Sequence, residues 1–156
     1  MGLRNIHTRV VLVCLIFLSN VSFSQSVKRN SFKCKDCDMS DAANIDSKDI
    51  QEKPLYCFIQ SFYATQCKNN AEYAEYANPK LFDILLCNST ALINLLIKYP
   101  ELNKKSLHNE IQSPLLDYDI KRIIFVVDSS NKKSNIKQQI IADLNAIKLD
   151  EHGYPH

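Results

Sequence analysis

The chain has 156 residues, with 19 basic and 17 acidic side chains and a formal net charge of +2. Interspersed signs near neutrality leave no electrostatic footprint for nucleic acid or for an anionic membrane surface. Only Gly2 and Gly153 are glycines, so the interior has no Walker or Rossmann phosphate loop and is poorly suited to many β-turns.

Arg4 and Arg9 precede an apolar run, Val10 to Leu18, and Ser22-Phe23-Ser24 puts small residues at both cleavage-determining positions before Gln25. This is the pattern of a secretory signal peptide over 1–24, with an apolar run too short for a stable membrane span. Val13 before Cys14 does not fit a lipoprotein signal, and polar Ser19-Asn20 does not fit a retained anchor. The expectation is a secreted or periplasmic protein folding in an oxidising compartment. Loss of Arg4 and Arg9 lowers the basic count from 19 to 17, which equals the acidic count.

Residues 25–53 read as a polar, flexible arm, because few apolar residues interrupt its acids and amides. The arm carries Cys34-Lys35-Asp36-Cys37, the sharpest chemical motif in the chain. A CxxC pair acts as a dithiol centre when the first cysteine heads a helix that stabilises its thiolate. Here Asp36 and Asp38 oppose thiolate formation by like-charge repulsion, so a structural role is favoured. Zinc would need a second close ligand pair, which Cys57, Cys67 and Cys87 do not supply. Asp36, Asp38 and Ser40 imitate the opening of a calcium loop, but Asp41 stands where its turn glycine belongs and Ser47 where its glutamate belongs. No metal or cofactor is expected. Cys34, Cys37, Cys57, Cys67 and Cys87 form an odd set beyond the leader, leaving one thiol free or available for a disulfide-linked dimer. On one straight helix Cys57 and Cys67 would lie about 15 Å apart, so a bond between them requires the helix to end before Cys67.

The packed region is expected over 54–149. Leu55, Phe58, Ile59 and Phe62 recur at helical spacing after Pro54. The helix-forming AEYAEYA follows, and Asn78-Pro79 reads as a cap and first-turn proline. Residues 80–99 are apolar on two faces, which predicts a central helix. Asn88-Ser89-Thr90 interrupts it, with Ser89 or Thr90 as the expected second cap. This triplet is also a glycosylation sequon, within an apolar run that argues against access.

Beyond Pro100 comes a polar, weakly amphipathic stretch to Ile111, then a helix launched by Ser113-Pro114 that carries Leu116, Ile120, Ile123, Ile124 and Val127. Residues 122–127 (RIIFVV) also suit a buried strand, which gives an α+β alternative. Asp128-Ser129-Ser130 after them resembles the DxSxS metal-adhesion opening of von Willebrand A domains over about ten residues, with Lys132 replacing the final serine. A helix ending in a serine-rich turn accounts for the same letters. Ser134 caps a last helix, and 150–156 reads as a frayed tail with weak metal-chelating character at His152 and His156.

The pattern predicts an all-α fold, a small bundle or short stack of four to six helices with a disulfide-tethered arm. Its expected function is non-catalytic binding of another protein or a small ligand. Tyr56, Phe62, Tyr63, Tyr73 and Tyr76 are the candidate interface aromatics. Thiol–disulfide exchange at Cys34 and Cys37 is the enzymatic alternative, and assembly through the odd cysteine is a structural one.

Overall fold

The computed structural model describes residues 32–34, 43, 45–46, 49–130, 133–149 and 155. The expected signal segment, Cys37, the calcium-like acids and most of the C-terminal tail lie outside the described residues. Those described fall within the unit Phe32–His156 and are all-α, with six α-helices and no named strand. The β-type pairing among them is a bridge between Leu149 and Pro155.

Helix α1 (Glu52–Ser61) starts two residues before Pro54, which sits in the first turn where its missing N–H is harmless. Leu55, Phe58 and Ile59 form its buried stripe. The short α2 (Thr65–Lys68) follows a two-residue turn and an extended Ala64. Helix α3 (Ala71–Lys98) opens at Asn70, whose side chain accepts from the Tyr73 N–H at 3.1 Å.

The new helix start expected at Asn78-Pro79 does not occur, and α3 runs through both residues. Pro79 forfeits one backbone bond in the helix interior. The surrounding burial of Ala77, Leu81 and Phe82 favours continuing the helix. Asn88 (φ −154°, ψ 51°) then breaks the helical geometry and accepts from the Ala91 N–H at 3.2 Å. The expected interruption is there, but Asn88 itself is the cap. Ser89 is buried, and the sequon asparagine is half-buried.

Helix α3 packs against α1, α2, a 3-10 turn at Pro100–Leu102, α4 (Lys105–Ile111), α5 (Ile120–Ser129) and α6 (Asn135–Asn145). It is long and apolar enough to cross a membrane, and half of its most apolar window is buried inside the fold. A helix with apolar groups on two faces is stable when neighbours cover both. Here α1, α4, α5 and α6 all pack on it. Ile97, expected on an apolar face, is 43 % exposed.

The contested segment 122–127 is helical, which removes both the strand alternative and the strand-borne metal opening. The helix is not launched by Ser113-Pro114. The Ser113 carbonyl and the Leu115 N–H are both bonded to the Asn78 side chain, which holds the segment in an irregular path. Asp119 is the actual cap, accepting from the Arg122 N–H at 3.0 Å. Leu115 and Leu116 are left 54 % exposed, outside the core where Leu116 was expected.

Ser134 caps α6 as expected. At the end of α5 the buried Lys137 ammonium donates to the carbonyls of Asp128 (2.7 Å) and Ser130 (3.2 Å) and lies 3.4 Å from the Asp128 carboxylate. A tethered cation therefore occupies the C-terminal end of α5, where the unpaired carbonyls and helix dipole favour positive charge. The arm also contributes to packing: Ile45 is buried, and Phe32 meets Tyr56 edge to face at 5.3 Å.

Candidate functional site

The α1–α2 turn and the 3-10 turn after α3 face one another across a cleft of about 430 Å³. Gln60, Thr65 and Gln66 line one wall, while Glu101, Leu102 and Lys104 line the other. The Tyr63 hydroxyl spans the two turns by donating to the Leu102 carbonyl. The Lys104 ammonium lies 4.7 Å from the centre of the Tyr63 ring, in cation–π contact. Burial pushes the Tyr63 hydroxyl well above the ordinary tyrosine range, so it remains a neutral donor.

A disulfide between Cys34 and Cys57, with a Cα–Cα distance of 5.3 Å, lines the same cleft. Cys34 therefore does not form a local CxxC bond. Helix α1 ends before Cys67, yet Cys57 uses the arm as its partner. Cys67 is also disulfide-bonded, and Cys87 is free and exposed. The cleft lining presents the amides of Gln60 and Gln66, the Thr65 hydroxyl and one charge of each sign, Glu101 and Lys104.

Of the five aromatics expected at an interface, Tyr56, Phe62 and Tyr73 are buried. Tyr56 packs against Tyr99 at 4.9 Å, Phe62 against Phe58 at 5.2 Å, and Tyr73 shares a 2.5 Å hydrogen bond with Ser61. They are core residues, because helix packing claims the ring faces. Tyr63 and an edge of Tyr56 line the cleft, Phe62 and Tyr73 edge a second hollow with Ala74 and Ala77, and Tyr76 borders a shallow one with Pro79 and Lys80.

A second polar centre, which the sequence reading did not single out, lies between α4 and α6. His108 is 7 % exposed and Asp143 is 6 % exposed. The His108 Nδ1 lies 2.5 Å from the Asp143 Oδ2, and its Nε2 lies 3.0 Å from the Asn103 Oδ1. Gln112 donates to the other Asp143 oxygen at 2.7 Å. The available signal was the spacing of Leu107, His108 and Ile111, which puts His108 on the buried side of α4. Both ring nitrogens have a polar partner. Among the described residues no group of three or more His, Cys, Asp or Glu is arranged to hold a metal ion.

No protein-family model, no curated protein and no solved structure matches the chain.

Proposed function

We propose that this is an exported, disulfide-stabilised binding protein that takes a small polar ligand in the cleft between the α1–α2 turn and the 3-10 turn. The single observation carrying the reading is a 430 Å³ opening whose rim includes the disulfide that ties the arm to α1. That volume is within the range of small-molecule sites, and walls fixed before binding reduce the ordering cost of association. Gln60, Thr65 and Gln66 offer hydrogen bonds of both senses, while Lys104 and Glu101 offer one charge of each sign. This composition suits a neutral or zwitterionic ligand better than a strongly charged or greasy one. Export is supported by the signal-like start and the disulfides.

The test is a thermal-shift screen of the oxidised protein against free amino acids and mono- and disaccharides, repeated with Lys104→Ala and Gln66→Ala. A ligand at about 100 times its Kd stabilises by about 2.7 kcal/mol. The reading expects such a shift for at least one probe and its loss in both variants. Absence of any shift, or a shift untouched by both substitutions, sinks it.

A further inference from the structure

We propose that Asn88 is the attachment site of an N-linked oligosaccharide, seated at the break in α3. Beyond residue 24, Asn88-Ser89-Thr90 is the one place where an asparagine is followed two residues later by serine or threonine with no proline between. The proposal rests on the export part of the reading above, because the sugar is added inside a secretory pathway.

The apolar letters around the triplet argue against access, yet the fold leaves it at the surface. Asp83, Cys87, Thr90, Asn94 and Lys98 recur at three- and four-residue spacing as an exposed face of α3. Asn88 is half-buried beside that face, while Ser89 turns inward. Its backbone leaves the helical region, so the triplet lies at a break and not within a continuous helical turn.

The orientation of the Asn88 amide is fixed by its partner. A backbone N–H can only donate, so the atom facing the Ala91 N–H at 3.2 Å is the amide oxygen. The nitrogen, Nδ2, has no hydrogen-bond partner among the described residues and is open to solvent. The cap thus engages the atom that glycosylation spares and leaves out the atom that it uses. In the transfer, Nδ2 bonds to the anomeric carbon of the reducing-end sugar and gives up one proton. The bond from that carbon to the diphosphate of a lipid-linked oligosaccharide donor breaks, and the lipid diphosphate leaves. The product is still an amide with its oxygen on the Ala91 N–H, so sugar and cap coexist.

The test expresses the full chain, with its own first 24 residues, in cultured mammalian cells and compares medium with cell lysate. Peptide N-glycosidase should speed the secreted wild-type band on a gel and convert Asn88 to aspartate, read by peptide mass spectrometry. Thr90→Ala alters an exposed side chain and leaves the cap in place; its band should run faster and ignore the enzyme. Thr90→Ser should restore the response, and Asn88→Asp, which keeps a capping oxygen, should lose it. Secreted wild type with Asn88 unmodified overturns the site while export stands. A sugar-free chain retained in the cytosol overturns both, and an enzyme response that survives Thr90→Ala overturns the assignment to Asn88.

Discussion

Asn78→Asp replaces a side chain with one of the same shape, so its cost isolates hydrogen-bond polarity. Asn78 is 1 % exposed. Its Nδ2 faces three oxygens at 3.2 Å, namely the Glu110 carbonyl, a Glu110 carboxylate oxygen and the Ser113 carbonyl. Its Oδ1 accepts from the Leu115 N–H at 2.9 Å. Two amide protons cannot fully serve three acceptors, so the side chain is equivalent to about three good bonds, or roughly 3 kcal/mol at about 1 kcal/mol each. Asn78→Ala should cost roughly that amount, seen as a loss of roughly 10 °C in Tm. Asn78→Asp keeps the bond from Leu115 but turns a lone-pair oxygen toward three others, one of them charged. It should therefore cost more, about 4 kcal/mol or above, and Glu110→Gln in the same chain should recover part of it. Circular dichroism during urea and thermal unfolding measures all four proteins. An Asn78→Asp protein more stable than Asn78→Ala would refute the assignment of this amide as a donor into the 110–115 segment.

Three further outcomes test other parts of the fold. Replacing Cys34 and Cys57 together by serine opens a link of sequence separation 23 and should cost about 3 kcal/mol in denaturant unfolding; no loss would mean the bond does not constrain the chain. Glu52 bonds Lys98 at 2.7 Å and Tyr99 at 2.7 Å, and these two contacts, Lys98 first, hold its carboxyl below the ordinary 4.5. Its folded-state value is depressed, so its contribution is full above about pH 4.5 and fades as pH falls through the folded value; Glu52→Gln should show a smaller acid loss, and an identical acid limb contradicts this. Lys137→Met leaves the α5 carbonyls without their donor and should lower stability by about 1–3 kcal/mol in urea unfolding, whereas Lys137→Arg should lose less if charge at the helix end is what matters.

Helix positions were legible where apolar spacing and a cap agreed. Leu55, Phe58 and Ile59 mark α1, and Ser134 with Ile140 and Leu144 marks α6. The failures share one cause. Asn78-Pro79 and Ser113-Pro114 both look like helix starts, yet the two pairs are joined through the Asn78 side chain across 35 residues. A cap is local chemistry, and nothing local reveals that an asparagine is already bonded to a distant loop. The same distance hid His108 and Asp143, also 35 residues apart. Aromatic clustering in the sequence pointed to a surface, but helix packing drew Tyr56, Phe62 and Tyr73 inward. The cleft was illegible because its two walls come from turns, whose mutual approach is bridged by Tyr63 through Leu102 and Lys104.

The Cys34–Cys57 link has a consequence for how the protein is made. Cys37 lies between its two ends in the chain. Oxidation in the order in which cysteines emerge joins Cys34 to Cys37, because both are available before Cys57. The native bond skips that neighbour, so early oxidation creates a bond that must later be exchanged. Recovery of natively bonded material then depends on thiol shuffling more than on oxidising power. Production in a compartment with a disulfide isomerase, or refolding in a mixed glutathione buffer, suits this connectivity, whereas rapid air oxidation captures the chain in its first mistake.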